Sequence, residues 1–284
     1  MQISFKAEDG IALGGYQLNA EQAVGVVLLN PGTATKTTFY MPFAEFLVQH
    51  GFHVILWNYR GFCESRSFSL KHANCRYSDI GNFDIPAAIT YAKTQFPDLP
   101  LLCVGHSAGG QQIGIAHNSN TLDGLIAVAA SAGFYRHMPL AYRLKAYFFF
   151  YVFAPITHAV FGYIPAKKLN LMEDLPGPLA REWGNWCRHE SLYFSPQFLG
   201  TSVPENAYKD VEFPIHVFSA DDDEISTEKN LENFWRHVSS QHPINFTRYR
   251  ASDSLKKHIG HFGYFKKDNL QIWQDILDKL KAML

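Results

Sequence analysis

The sequence predicts an α/β domain, a mostly parallel sheet with helices on both faces, interrupted by one helical insertion. Three observations carry that expectation. Strand-like and helix-like segments alternate through the first half of the chain and again near its end, the rhythm of strands joined by crossover helices. The apolar run Leu101-Leu102-Cys103-Val104 leads directly into Gly105-His106-Ser107-Ala108-Gly109, the order of a strand, a very sharp turn and a helix. Between 134 and 204 the alternation stops. Aromatic residues crowd that stretch, and Pro155, Pro165, Pro176 and Pro178 cut it into short pieces.

The elements follow in order. Residues 3–6 and 11–18 read as two strands around the turn Glu8-Asp9-Gly10, a hairpin. Residues 24–29 are a continuous apolar run, as for a strand buried on both faces. A helix is predicted over 38–50, stopped by Gly51, and a second buried strand over 52–57. The helix 79–96 contains Pro86, which has no natural place inside a helix. Residues 101–104 form the strand before Ser107, 111–117 the helix after it, and 125–130 another buried strand. Beyond the insertion, 214–219 is a strand, Ser226 or Thr227 can cap a helix reaching Val238, 244–250 is a last strand, and 269–284 a closing amphipathic helix. The expected domains are therefore a core, 1–133 with 205–284, and a helical lid, 134–204.

Composition narrows the function classes. The 284 residues are 47% hydrophobic, enough for one large core, and the formal net charge of -1 makes no electrostatic case for nucleic acid. Cys63, Cys75, Cys103 and Cys187 show no Cys-x-x-Cys spacing, and residues 1–6 lack the pattern of a secretory signal. Both fit reduced thiols and a cytoplasmic location.

The chemistry centres on Ser107. The turn forces the serine into a strained conformation whose close neighbours must lack a Cβ, which Gly105 and Gly109 satisfy. It lifts the hydroxyl off the end of the sheet and turns the amide of Ala108 toward any oxyanion beside it. A serine hydroxyl needs a base in reach and a third group to orient that base. In this architecture an acid and then a histidine follow on later loops. Ala220-Asp221-Asp222-Asp223-Glu224 follows one strand, and His258-Ile259-Gly260-His261-Phe262-Gly263 follows the last. Part of the acidic run also suits a solvated loop before a helix start.

These features together resemble the α/β-hydrolase superfamily, over nearly the whole chain. Gly-His-Ser-Ala-Gly-Gly-Gln at 105–111, Trp186-Cys187-Arg188-His189 and Ile259-Gly260-His261-Phe262-Gly263 are similar to a group of predicted bacterial members of the serine esterase and lipase type. The resemblance implies that Ser107 is the nucleophile and His261, preceded by glycine, the base, ahead of His258. The family's Gly-Asp-x-Asp loop, laid on 220–223, makes Asp223 the acid, with Asp222 the alternative if the loop is one residue shorter. The second oxyanion amide falls by position on Thr33, in Asn30-Pro31-Gly32-Thr33, where Pro31 replaces the family histidine. Asn58-Tyr59-Arg60-Gly61-Phe62-Cys63-Glu64-Ser65 is similar to the family's Asp-x-Arg-Gly-x-Gly-x-Ser, with Cys63 in place of a glycine.

The resemblance implies hydrolysis of a carboxylic ester, or a thioester or amide, through an acyl-enzyme and without a cofactor. Acyl transfer by the same triad and a non-catalytic binding protein are the other classes. Residues 32–37 lack the spacing of a phosphate loop. His258 and His261 have a spacing usable for metal, but no third ligand lies near in sequence, so no metal is expected. The insertion carries seven Lys/Arg against four Asp/Glu, a weak bias toward an anionic substrate or surface. The expected partner is a small ester with an apolar group. Residues 146–164 are apolar over a length that approaches a membrane span, but Pro155, His158 and the strands on both sides favour a lid greasy on one face. Weak contact with a membrane surface stays open. Phe149 and Phe153 are the candidates for lining an acyl pocket.

Overall fold

The structure, a computed structural model, describes residues 1–169 and 172–284. Eight strands form one sheet in the order β1-β2-β4-β3-β5-β6-β9-β10. Strands β1 (Gln2–Lys6) and β2 (Ala12–Leu18) form the expected hairpin, and β2 runs antiparallel to β4 (Phe52–Trp57). From β4 onward every neighbour is parallel: β3 (Gly25–Asn30), β5 (Leu101–His106), β6 (Gly124–Val128), β9 (Ile215–Ala220) and β10 (Asn245–Tyr249). The central strands are buried along their whole length. Val26 and Leu28 of β3 point into one core, while Val27 and Leu29 point into another on the opposite face. That is why these strands read as unbroken apolar runs rather than alternating ones. All the parallel strands end at one edge of the sheet, so the loops that follow β3, β5 and β9 converge there.

Helix α1 (Thr37–Gln49) follows β3, and α2 (Ile85–Gln95) precedes β5. The predicted helix over 79–96 is interrupted by a π-helical turn at Ile80–Asp84, which leaves Pro86 in the first turn of α2, where a missing N–H costs little. The helix after Ser107 is shorter than expected. Helix α3 covers only Ala108–Gln111 and gives way to a 3₁₀ turn, Ile113–Ile115. Gly109, Gly110 and Gly114 weaken a helix here, and a Cβ at Gly114 would fall 2.1 Å from the Tyr208 ring. Helix α7 (Glu228–Trp235) is capped by Thr227, whose side chain accepts from the Asn230 amide, and α8 (Leu270–Lys281) closes the chain.

Between β6 and β9 the chain leaves the sheet. Helix α4 (Leu140–Phe148), a π turn (Phe149–Phe153) and α5 (Ala154–Phe161) form one continuous helix over Leu140–Phe161. The insertion, expected to be helical, is not wholly so. A two-residue ladder pairs β7 (Tyr163–Ile164) with β8 (Leu175–Pro176) before α6 (Gly177–Trp186).

Candidate active site

Ser107 sits at the turn between β5 and α3 with φ 51° and ψ -115°, a left-handed conformation that costs a residue with a Cβ of order 1–3 kcal/mol. The fold holds it there. The Ser107 amide donates to Val128 O at the end of β6 (2.8 Å). A Cβ on Gly105 would lie 2.5 Å from Gly110 N, and one on Gly109 would lie 2.4 Å from Asn30 O. The two glycines are thus required by close backbone approach rather than by their own dihedral angles.

The amides of Ala108 and Thr33 have no protein acceptor among the described residues. Thr33 occupies a turn closed by Thr35 N to Gly32 O (3.2 Å), with Ala34 at φ 54°. Gly32 N donates to the Tyr40 hydroxyl (2.8 Å), Tyr40 lies 2.6 Å from His106 Nδ1, and His106 Nε2 lies 2.8 Å from His261 O. One assignment satisfies all three: Tyr40 donates to Nδ1 and Nε2–H donates to the carbonyl. This buried chain links the loop after β3, the serine turn and the histidine loop. Burial, and then the neighbouring His261, push His106 down to about 3, so it stays neutral. Sequence reading missed this chain. A histidine buried beside the serine was a signal, whereas nothing marked Tyr40.

The acidic loop and the last loop meet as two separate pairs. His261 Nδ1 lies 2.9 and 3.1 Å from the two carboxylate oxygens of Asp223. Both side chains are nearly inaccessible, at 9% and 0% exposure. Burial works against the charged Asp223, but His261 and the amides of Ser226 and Ile225 outweigh it and hold the carboxyl below its ordinary value. Asp222 instead accepts from the amides of Ile259 and Gly260, both at 2.9 Å, and pairs with His258 at 2.7 Å on the surface. Among the described residues no hydrogen bond joins Ser107 Oγ to His261. Such contacts are commonly loose before substrate binds. With Asp223 on Nδ1, the free Nε2 of His261 is the nitrogen available as a base.

Residues from 134–204 touch the segments next to these groups. The Glu173 amide donates to Ala34 O (2.9 Å), and the Tyr193 hydroxyl donates to Gln111 O (2.5 Å). Tyr77 hydrogen-bonds Thr33 Oγ1 (2.7 Å), stacks on Trp183 and meets Trp186 edge-on. Burial, and the nearby Asp223 and Glu224 charges, raise the Tyr142 phenol. Phe149 and Phe153 lie against each other with their rings tilted, and Phe150 packs edge-on against Trp183. Cys63 has φ 42°, which accounts for a glycine at that position in the resembling motif. Burial raises its thiol, and it lines a small cavity of about 210 Å³ with Lys36, Glu64, Lys167 and Glu173. No group of three or more metal-ligating side chains occurs among the described residues.

Comparison with known proteins places this architecture. The family model described as serine aminopeptidase, S33, matches residues 21–169, just over half of the chain. No curated protein matches the sequence. Among solved structures, a soluble variant of monoglyceride lipase from Saccharomyces cerevisiae, in complex with a substrate analog, is 14% identical with a TM-score of 0.69, covering 98% of this chain and 94% of that one. The Pyrococcus furiosus esterase PF2001 is 13% identical with a TM-score of 0.62, over 99% and 90% of the two chains. A highly thermostable carboxyl esterase from Bacillus coagulans, in complex with glycerol, is 14% identical with a TM-score of 0.63, over 100% and 98%. At such identities the likeness is one of fold. With the family match, it identifies the chain as an α/β-hydrolase belonging to the family described as serine aminopeptidase, S33.

Proposed function

We propose that the protein is a serine hydrolase that cleaves a carboxylic ester bearing an apolar group. The observation that carries this reading is the buried Asp223–His261 pair on the loops beside a strained Ser107. The monoglyceride lipase and carboxyl esterase neighbours support the ester class. Ser107 Oγ attacks the carbonyl carbon while His261 Nε2 takes its proton. Asp223 holds the tautomer and the imidazolium that results. The unengaged amides of Ala108 and Thr33 receive the oxyanion, one such donor being worth roughly 3–4 kcal/mol in the transition state. Collapse expels the alcohol, protonated by His261. Water, deprotonated by the same nitrogen, then attacks the acyl-enzyme and returns free acid and Ser107.

Residues 134–204 serve in this reading as a lid. The contacts of Glu173 with Ala34, Tyr193 with Gln111, and Trp183 and Trp186 with Tyr77 support a cover over the serine turn. Fluorophosphonate labelling and a panel of acyl esters of graded length test the reading. Wild type is expected to label at Ser107 and turn over esters, and Ser107→Ala to do neither. Labelling of Ser107→Ala at another serine overturns the nucleophile. Hydrolysis of aminoacyl anilides with no ester turnover overturns the substrate class.

A further inference from the structure

The continuous helix Leu140–Phe161 is two-faced. Ala146, Phe149 and Ala154 are buried against the body of the protein. On the other side Leu140, Leu144, Phe148, Val152, Ile156 and Val160 are 43–68% exposed, one at every fourth position. In an unbroken α-helix, steps of four residues advance the face by about 40° each, and such a row winds around the axis. The π turn at Phe149–Phe153 adds a residue without adding a turn, so the row is brought back toward one side. The result is a contiguous apolar strip about 30 Å long, the kind of exposed patch that marks an interaction site.

Charge tells what the strip meets. From Arg136 to Leu169 the chain holds five Lys/Arg and no Asp or Glu. Arg136, Arg143 and Lys145 lie at the start of the helix. Lys167 and Lys168 follow its end, where Lys71 packs beside Gly162. Of these six only Lys167 makes an ion pair among the described residues, with Glu173. Cations at both ends of an apolar strip match a sheet of anionic headgroups over an apolar interior. A second copy seated on the strip would set the same cations against one another. Ala146, Phe149 and Ala154, packed on the body of the protein, argue against a helix surrounded by lipid.

We infer that the exposed face of helix Leu140–Phe161 docks on the surface of an anionic lipid bilayer, lying in the plane of the interface. The docking does not depend on the ester reading. It is tested with the full chain by sedimentation with vesicles of phosphatidylcholine alone or containing about one quarter phosphatidylglycerol. Wild type is expected to bind the anionic vesicles at least roughly tenfold better, an advantage that shrinks as salt is raised. Leu144→Glu with Ile156→Glu is expected to lose binding to both by at least roughly tenfold. Lys145→Glu with Lys168→Glu is expected to lose only the preference for anionic lipid. Circular dichroism and thermal unfolding stay at wild-type values in both variants and report their folding. The salt dependence of wild type stands as a readout that needs no variant. Absence of binding to either vesicle at low salt overturns the inference, as does unchanged binding by the glutamate pair. Self-association abolished by the glutamate pair assigns the face to a second copy, and resistance to alkaline extraction assigns it to a span; either outcome overturns the docking.

Discussion

Two histidine–carboxylate pairs lie on the loops that follow β9 and β10, with closest separations of 2.9 Å for His261–Asp223 and 2.7 Å for His258–Asp222. Bond length does not tell them apart; surroundings do. His261 is 9% exposed and Asp223 fully enclosed, while His258 is 67% exposed. Water screens the outer pair, so its attraction is worth little. The inner pair works in a poorly screened interior, where a carboxylate can hold one tautomer and stabilise an imidazolium. The outer carboxylate does something else. By accepting from Ile259 N and Gly260 N it shapes the loop that delivers His261.

The largest expected effect breaks or upholds that contrast directly. Asp223→Asn should lower kcat for an activated ester by about 10³–10⁴-fold with little change in folding, because an amide donor on Nδ1 leaves the proton on Nε2. A greater loss in Asp222→Asn would exchange the roles of the two acids.

Asp222→Ala comes next. It strands two loop amides, so kcat should fall by about 10–100-fold through misplacement of the imidazole. Asp222→Asn, which keeps one acceptor oxygen, should recover part of that. Rates over a pH series separate the two cases, since the profile keeps its shape if Asp222 only positions the loop.

His106 sharpens the comparison from the other side of His261. In the folded protein it takes a proton only near pH 3, against about 6.5 when unfolded. Between those values the unfolded chain binds more protons, so this contribution to stability is full above about 6.5 and declines as pH falls toward 3. At pH 5 the loss is about 2 kcal/mol. His106→Gln lacks that titration. Its stability deficit relative to wild type, measured by urea unfolding, should narrow by about that amount between pH 7.5 and pH 5. A constant deficit would show that His106 is not held neutral by burial.

The smallest effect is expected at the outer pair. His258→Ala should leave kcat within about twofold and stability within roughly 0.5 kcal/mol, as for other exposed ion pairs.

Much of this arrangement was legible in the chain. The apolar run 101–104 before Gly105-His106-Ser107 announced a strand and a tight turn, because few sequences tolerate that close approach without glycine. The apolar run 24–29, and 52–57 with only His53 breaking it, announced strands buried on both faces. The length of α3 was not legible, since Gly114 yields to Tyr208, a partner 94 residues away in sequence. The π turn before Pro86 was also hidden, because a one-residue shift of the apolar pattern cannot be told from ordinary scatter over so few helical turns.

Local residue choice therefore determined the order of elements, the serine turn, and a short acidic run and a histidine loop from which any partner of Ser107 must come. It also determined that 134–204 is aromatic and cationic. Tertiary structure alone decided which acid meets which histidine, because Asp222 and Asp223 are adjacent and only the packing of two loops distinguishes their directions. It alone joined Gly32, Tyr40, His106 and His261 into one buried chain. And it alone turned the apolar run of the long helix into a covered face and an open one. Hydropathy reports how much apolar surface a segment has, whereas the neighbours it packs against decide how much stays uncovered.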